Sequence, residues 1–394
     1  MRRLTIFTFV VLMAVFAASF CVLLTAAPAV AQAEGTVYLP TVMSDFVPGW
    51  HWEEAYTVTV SARTTGAPLA VIDRSGQPHL FWYYTTADNQ LHHTYFTSTG
   101  WRETQPAAGA EGDSLLTNAP LVDSAGKLHL IWFNKLDSDE EQKHRFLYTT
   151  FAEESWQAPR AVMRSKYSTI DAWLRLVPGD QPRVAVTDGF LAWKSTLYTL
   201  GGDWQAQSET ALPDGADIVW PDAVSGAHLY GNNDDTMQYW RWTGGEVGGA
   251  QTLGSGAFFG RSLAFDASDN LHLYWKASVA AGGKSVTTLH HQCINTLPQA
   301  SAVTYPGDVV AVQEIAGAAE HGTWFVLAWQ ETTRKRIMRW DGCAPGGAVT
   351  IPEDAAENTT LRAVAVSSNP RKVCVFMQQG TTAIYTVRCA DLDY

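Results

Sequence analysis

From residue 49 onward, apolar and polar residues alternate in short runs that are separated by turns rich in Gly, Asp and Ser. Such alternation predicts β-strands with one buried side, whereas a helical period is missing beyond the first 31 residues. In the first such region the strands fall at Ala67–Ile72, His79–Tyr84, Leu91–Phe96 and a run opening at Trp101. The pattern therefore predicts an all-β protein built from groups of four antiparallel strands.

A ten-residue phrase recurs along the chain and sets a repeat. It runs from Asp73 to Trp82, from Asp123 to Trp132 and from Asp266 to Trp275, each time with His-Leu-x-Trp at its end. Asp222 and His228 keep the spacing, but Gly231 stands where the tryptophan would be. Extending the frame gives anchors at 73, 123, 177, 222, 266, 320 and 367, on average 49 residues apart. Periods of this length with short strands are typical of β-propellers, so we predict seven four-stranded blades over residues 49–394.

The two ends of the repeat region are expected to meet. The last repeat has room for three strands before Tyr394, and Gly49-Trp50 resembles the Gly100-Trp101 that opens a fourth strand. We therefore predict that residues 49–60 supply the fourth strand of the last blade and close the ring, which would leave no sheet edge exposed. Residues 32–48 are expected to form an extended linker.

The amino terminus predicts export. Arg2 and Arg3 precede the apolar run Leu4–Leu24 and the small-residue site Ala29-Val30-Ala31, as in a signal peptide over residues 1–31. An uncleaved membrane anchor is the alternative. We expect a secreted or cell-surface protein of bacterial type, with no membrane contact after cleavage. The four remaining cysteines allow three pairings, of which Cys374–Cys389 would join two predicted neighbouring strands.

Composition and charge limit the classes of partner that the protein is expected to bind. With 46% hydrophobic residues in 394 the chain is not intrinsically disordered, and 27 basic against 39 acidic residues give a net charge of −12. That charge disfavours nucleic acid and anionic membranes as partners. Neither a nucleophile elbow nor a phosphate-binding loop occurs. We expect a monomer without a cofactor.

Most aromatic and histidine residues have a structural explanation. Eight of the 16 tryptophans fall at two repeat positions and are expected to pack between blades: Trp82, Trp132, Trp275 and Trp329, and Trp50, Trp101, Trp156 and Trp204. The repeated histidines 79, 129, 228 and 272 belong to different blades, so they should be buried imidazoles bonded to a neighbouring turn rather than metal ligands. Trp173 and Trp220 differ because they lie on predicted innermost strands, where they serve ligand stacking or core packing.

A candidate ligand site follows from the repeat frame. Residues at or next to the start of the innermost strands would surround one mouth of the channel beside the two exceptional tryptophans: Asn118, Asp171, Asp217, Arg261 and Arg362 with Trp173 and Trp220. This set suits a polar, ring-shaped ligand, and the alternative is ion pairing between blades. No transition-metal spacing occurs, and the acidic loops 137–141 and 232–235 are only weak candidates for calcium.

The phrase Asp-x-Ser/Ala-Gly-x-x-His-Leu-x-Trp, with its turns closed by tryptophan, resembles secreted bacterial propellers of the sialidase-like, neuraminidase-repeat type. The Asp-box of that family survives in eroded form at Ser98-Thr99-Gly100-Trp101 and Glu153-Glu154-Ser155-Trp156. Sialidases also use an arginine triad; Arg261 and Arg362 are present here, but a third arginine in register and a Phe/Tyr-Arg-Ile-Pro motif are not found. Seven-bladed fucose-type lectins look similar too, although they repeat a binding signature between blades, whereas the rim residues here differ from blade to blade. The expected function is a non-catalytic module that binds a glycan or an extracellular protein at the channel mouth. A sialidase-like glycoside hydrolase, a polysaccharide lyase and a structural protein of the cell envelope are the alternatives.

Overall fold

A computed structural model of the chain describes residues 50–60, 68–83, 90–106, 113–116, 120–136, 144–166, 170–188, 193–233, 236–255, 257–265, 271–281, 284–294, 303–304, 315–319, 324–330, 334–341, 344–352, 359–368 and 371–392. The predicted signal peptide 1–31 and linker 32–48 lie outside these ranges. Every regular element within them is a β-strand, as the alternation of apolar and polar residues predicts. No helix that could cross a membrane is found in the part of the chain described.

The described strands form seven antiparallel sheets, numbered here in chain order. Sheet 1 contains β3 (Leu69–Ile72), β4 (Pro78–Tyr83), β5 (Leu91–Thr97) and β6 (Gly100–Thr104). Sheet 2 contains β7 (Asp113–Leu116), β8 (Leu121–Val122), β9 (Leu128–Lys135), β10 (His144–Ala152), β11 (Ser155–Trp156) and β12 (Arg160–Ser165). Sheet 3 contains β13 (Ile170–Val177), β14 (Gln181–Asp188), β15 (Lys194–Leu200) and β16 (Trp204–Ala211).

The remaining strands continue the same arrangement. Sheet 4 contains β17 (Ala216–Pro221), β18 (Ala227–Asn233), β19 (Thr236–Thr243), β20 (Glu246–Val247) and β21 (Gln251–Ser255). Sheet 5 contains β22 (Ala257–Phe265), β23 (Leu271–Ala281), β24 (Lys284–Ile294) and β25 (Val303–Thr304), and sheet 6 contains β26 (Ile315–Ala319), β27 (Trp324–Gln330), β28 (Lys335–Asp341) and β29 (Ala344–Thr350). Sheet 7 contains β30 (Thr359–Ser368), β31 (Arg371–Gln379) and β32 (Ile384–Leu392), with β1 (Trp50–Trp52) and β2 (Tyr56–Thr59).

Each sheet has four strand positions, which follow chain order in sheets 1 to 6. Some sheets contain more than four strands, because one position is divided into two short strands that pair with the same neighbour. In sheet 2, β7 and β8 both pair with β9, and β11 and β12 both pair with β10. In sheet 4, β20 and β21 both pair with β19. The four-stranded antiparallel repeat predicted from the sequence is therefore the unit of the fold.

The first described strands lie on the last one. Trp50 faces Leu392 in the β1–β32 ladder, and Tyr56 faces Val387 in the β2–β32 ladder. The backbone N–H of Glu53 donates to the carbonyl of Cys389 at 2.8 Å between these two ladders. The fourth position of sheet 7 is thus filled from the amino-terminal side, by the segment that the repeat frame assigns to it.

Sheet 7 also contains a disulfide that was one of the open pairings. Cys374 on β31 faces Cys389 on β32 directly, and the two are bonded. Cys293 on β24 is disulfide-bonded as well. Bonds of this kind persist in oxidising compartments, and the export expected from the sequence stays a prediction.

Neighbouring sheets are joined by clusters of buried apolar side chains. Such clusters connect sheet 7 with sheet 1, sheet 1 with 2, sheet 2 with 3, sheet 3 with 4 and sheet 4 with 5. Trp82 and Trp132 are fully buried in the first two, and Trp101, Trp156 and Trp204 pack against clusters of this set. The packing role predicted for these tryptophans is confirmed, while the side chain of Trp275 lies outside the described residues.

The spacing of Asp and His that recurs in the repeat builds a turn. One carboxylate oxygen of the aspartate accepts backbone N–H groups two and four residues later, as Asp123 does from Ala125 and Lys127. Its other oxygen lies 3.2 Å from Nε2 of His129, six residues after the aspartate. Asp73 and Asp222 accept the equivalent backbone bonds. The histidine therefore holds the turn, which confirms the buried imidazole that the sequence predicts for His129.

Two departures from the repeat have local causes. A Cβ atom at Gly231 would lie 1.8 Å from the carbonyl oxygen of Gly215, so the tryptophan of the other repeats cannot be accommodated there. In sheet 7 the sequence frame is wrong by one residue: Val373 faces Val366, where the other sheets would place residue 365. The turn between β30 and β31 is shorter, because Ser368 already faces Arg371.

Candidate functional site

Three of the predicted site residues come together between sheets 3 and 4. The indole rings of Trp173 on β13 and Trp220 on β17 lie 4.7 Å apart between centroids, at an angle of 41°. The Nε1–H of Trp173 donates to Oδ2 of Asp171 at 3.0 Å, which fixes the orientation of that ring. Both tryptophans are only partly buried. A tilted aromatic pair with an adjacent carboxylate is thus partly exposed, and Trp220 also packs against the cluster that joins sheets 4 and 5.

The alternation of side chains along β13 explains this grouping. Ala172 and Leu174 point into the cluster that joins sheets 2 and 3, so Asp171 and Trp173 share the opposite side of the strand. Arg175 continues that side, and its Nη1 donates to the carbonyl of Pro221 at 3.2 Å, next to Trp220. Arg175 was not among the predicted site residues, although the two-residue period would have placed it there.

Three of the other predicted residues lie at or next to irregularities in the first strands of their sheets. Asp217 and Arg362 are themselves the extra residues of β-bulges, in β17 and β30. Arg261 follows a bulge at Gly260 in β22. Bulges redirect the side chains near them, so the facing direction predicted from simple alternation does not hold at these positions. The side chains of Asp217 and Arg261, and all of Asn118, lie outside the described residues.

Arg362 is engaged within its own sheet. Its Nε–H donates to Oε1 of Gln378 at 2.8 Å, and Nε2 of Gln378 donates to the carbonyl of Thr382 at 2.7 Å. The guanidinium is therefore positioned by β31 and partly buried. Its place beside Asp171 and the tryptophans stays a prediction.

The described ranges were searched for side chains that could bind a metal ion together. No group of three or more His, Cys, Asp or Glu side chains there could hold a metal ion. The acidic loop 137–141 and residues 234–235 of the second loop lie outside the described residues, so the weak expectation of calcium stays a prediction.

The histidines of sheet 1 form a buried hydrogen-bonded pair. Nδ1 of His79 lies 2.8 Å from Nε2 of His93, and Nδ1 of His93 lies 3.3 Å from Oγ1 of Thr104. His92 points to the other side of the sheet, where it stacks on Trp82 with centroids 4.1 Å apart. Neighbouring histidines on one strand therefore face opposite sides, as predicted. In sheets 2 and 4 the position of His93 is taken by tyrosines, which bond the repeated histidine in the same way: Tyr148 to His129 at 2.6 Å and Tyr239 to His228 at 2.9 Å.

Burial of these histidines predicts acid sensitivity. Burial lowers the pKa of His93 well below 6.5, helped by the charge of His79, and burial likewise lowers the pKa of His228. The folded protein then keeps them neutral, while the unfolded chain takes up protons as the pH falls below about 6.5. The free energy of unfolding should therefore fall between pH 7 and pH 5, by roughly 2 kcal/mol for each histidine that stays neutral.

The substitution His93→Tyr isolates one of these contributions, because the repeat itself uses tyrosine at this position. The loss of stability from pH 7 to pH 5, measured by chemical denaturation, should shrink by about 2 kcal/mol. His51→Gln, at an exposed position on β1, should leave the loss unchanged. An unchanged pH dependence in His93→Tyr would contradict a neutral, buried His93.

Comparisons with known proteins were made by sequence and by structure. No family model matches the chain, and no curated protein matches it either. The β-propeller domain of the trilobed protease from Pyrococcus furiosus superposes with a TM-score of 0.51 at 8% identity, over 87% of this chain and 94% of that domain. An α-L-arabinanase from Penicillium chrysogenum gives a TM-score of 0.43 at 10% identity, over 69% of this chain and 92% of that one. A lectin from Aleuria aurantia gives 0.41 at 10% identity, over 75% and 99%. The repeated sheets and the first of these similarities together show that the chain has a β-propeller fold.

Proposed function

We propose that this chain is an exported, monomeric β-propeller of seven blades that binds a glycan beside Trp173 and Trp220. The observation that carries the proposal is the partly exposed pair of tilted indoles, with Asp171 fixing one ring and Arg175 reaching across to the neighbouring strand. Aromatic faces with a few fixed polar groups are the usual composition of a small-molecule site.

The packing between sheets supports a closed ring of seven. Sheets 7, 1, 2, 3, 4 and 5 are linked in turn by buried clusters, and β26 of sheet 6 lies beside both β22 and β30. The pairing of β1 and β2 with β32 would act as the closure. In such a ring the first strand of each sheet lines the central channel, and Trp173 and Trp220 both lie on first strands.

The chemistry of the pair favours a sugar over a peptide or a nucleotide. A pyranose presents an apolar C–H face to an indole ring and hydroxyl groups to the side, where a carboxylate and a guanidinium can bond them. The net charge of −12 and the absence of a phosphate-binding loop disfavour a phosphorylated ligand. Arg261 and Arg362, if they reach the same mouth, would extend the preference to an acidic sugar.

A glycan array with the mature protein tests the proposal. We expect Trp173→Ala and Trp220→Ala each to weaken binding of the best glycan at least tenfold, because each removes a stacking face worth about 1.4 kcal/mol or more. Trp193→Ala is the matched control, since Trp193 is a half-exposed tryptophan that precedes β15. Melting temperatures show whether each variant remains folded.

Equal binding by the wild type and both tryptophan variants would remove this site, and a wild type that binds no glycan would contradict the function. The same glycans are incubated with the protein and examined for shortened or unsaturated products. Turnover would favour the glycoside hydrolase or polysaccharide lyase, and binding without turnover would favour the module.

A further inference from the structure

The disulfide of sheet 7 is covered by the amino-terminal strands β1 and β2. Cys374 and Cys389 are 0% exposed, and they belong to the same buried cluster as Val58 of β2. Cys389 lies on β32, which has β31 on one side and the amino-terminal strands on the other. Without these two strands, β32 would be the edge of its sheet and Cys389 would lie on that edge.

Three contacts attach the amino-terminal strands to the strands that carry the bonded cysteines. The backbone N–H of Glu53 donates to the carbonyl of Cys389 at 2.8 Å. The hydroxyl of Tyr56 lies 3.1 Å from Sγ of Cys389, and the hydroxyl is the donor because a disulfide sulfur carries no hydrogen. Nζ of Lys372, two residues before Cys374 on β31, forms an ion pair with Oε1 of Glu53 at 2.6 Å. Residues 53 and 56 are therefore bonded to both β31 and β32 close to the disulfide.

Reduction of this bond requires a reductant to reach it. A thiolate must approach one of the two sulfur atoms directly, so a disulfide without exposed surface reacts only after part of the protein has opened. The opening is either the unfolding of the whole protein or the detachment of β1 and β2 from β32. Detachment should cost less free energy, because these strands have only three and four residues and pair, among the described strands, with β32 alone.

We propose that the amino-terminal strands and the Cys374–Cys389 bond form a redox-sensitive latch. The bond is reduced by an external dithiol after β1 and β2 have left β32. The two cysteine sulfurs take up two electrons and two protons and become thiols, while the dithiol loses them and closes to a disulfide. Because coupling between two equilibria is reciprocal, the oxidised bond favours attachment of β1 and β2 by the same factor by which their attachment disfavours the reduced cysteines.

Such a latch responds to the compartment of the protein. Thiols are kept reduced in the cytosol, whereas disulfides form and persist in oxidising compartments. The amino-terminal strands are then held more weakly inside the cell and more firmly after export. This consequence rests on the export that the leader predicts, whereas the latch itself depends only on the contacts of sheet 7.

The rate of reduction by dithiothreitol in native buffer tests the proposal. The released thiols are alkylated at successive times, and the masses of the cysteine peptides show which bond was reduced. We expect Val58→Ala to accelerate reduction of the Cys374–Cys389 bond about tenfold or more, because the substitution removes buried methyl groups that hold β2 in place. Reduction at Cys293, which lies on β24 of sheet 5, should keep its rate.

Val162→Ala is the matched control. Val162 is likewise a buried valine at the fourth position of a sheet, on β12 of sheet 2, in the cluster that joins sheets 2 and 3. This variant should reduce within about twofold of the wild-type rate, because detachment of β12 leaves the disulfide covered. Equal acceleration by both valine variants would show that reduction follows global unfolding and would overturn the proposal, as would an unchanged rate in Val58→Ala.

A glutamate-specific protease tests the reciprocal effect of the bond on the amino-terminal strands. Cleavage after Glu54, which is exposed between β1 and β2, should be about tenfold faster in Cys374→Ala/Cys389→Ala than in the wild type. Cleavage after Glu153, in the exposed turn between β10 and β11, is the internal reference and should keep its rate. Equal cleavage after Glu54 in the two proteins would contradict the latch. A parallel rise at both glutamates would contradict it as well, because the bond would then stabilise the whole protein rather than these strands.

Discussion

Val58→Asp is expected to lower the free energy of unfolding by about 5 kcal/mol, which equals the whole stability of a domain at the lower end of the usual range. Val58 is fully buried on β2, in the cluster formed with Trp82 of sheet 1 and Phe376 and Tyr385 of sheet 7. The substitution removes the packing of the valine and places a carboxyl group among apolar side chains. Because β2 pairs the amino-terminal segment with β32, the substitution should destabilise the contact between the two ends of the repeat region.

The control for this prediction lies one residue away. Thr59→Asp changes the same strand and keeps the pairing with Ile384, but its side chain is exposed. Its effect should stay within about 0.5 kcal/mol. Urea denaturation of the mature, oxidised protein measures both variants. Equal stability of Val58→Asp and Thr59→Asp would contradict the packing of β2 between sheets 7 and 1.

Asp222→Ala is expected to cost about 4 kcal/mol, because Asp222 is a buried carboxylate on which two arginines depend. It is 2% exposed and accepts a bond from Nη1 of Arg183 at 3.2 Å and one from Nη2 of Arg241 at 2.5 Å. Burial alone would raise the pKa of Asp222, but the bonds from the Gly226 and Val224 N–H groups and the two arginine charges outweigh it and lower the pKa. Removing the carboxylate leaves Arg183, which is itself buried, without a counter-charge.

An exposed ion pair supplies the comparison. Lys194 and Glu209 lie 2.8 Å apart on sheet 3 with both side chains about half exposed. Lys194→Ala should therefore leave the stability nearly unchanged. The contribution of Asp222 should be present above pH 4 and be lost as the pH falls through its lowered folded pKa, so wild type and Asp222→Ala should converge in acid. A cost for Lys194→Ala equal to that for Asp222→Ala would contradict the buried network.

The sequence predicted the parts of this protein that depend on local pattern. Strands follow from the two-residue period and turns from Asp and Gly, and β3 to β6 begin and end close to the predicted residues. The repeat frame also predicted contacts between distant parts of the chain, because residues at the same position of different repeats occupy the same position in their sheets. That is why the pairing of residues 50–59 with β32 and the Cys374–Cys389 bond were within reach.

The candidate site was predicted only in part. Asp171 and Trp173 share one side of β13 because that strand is regular there. Trp173 meets Trp220 even though Trp220 also packs against the cluster that joins sheets 4 and 5, and the alternation along β17 does not predict that contact. Asp217 and Arg362 fall on bulges, which have no signature in the apolar pattern and change the direction of the side chain. Arg175 continues the same face of β13 and was overlooked, because its role depends on a carbonyl of the next sheet.

Only the tertiary structure decided which residues meet between sheets. His93 in sheet 1 and Tyr148 in sheet 2 hold the same repeat position and bond the repeated histidine in the same way. A cavity that His79 and Glu153 line depends in addition on the distance between sheets 1 and 2. The Arg183–Asp222–Arg241 network likewise unites sheets 3 and 4. The period of a strand determines which side chains share a face, whereas the contacts across two faces depend on bulges, turn lengths and packing distance, which arise only when the sheets come together.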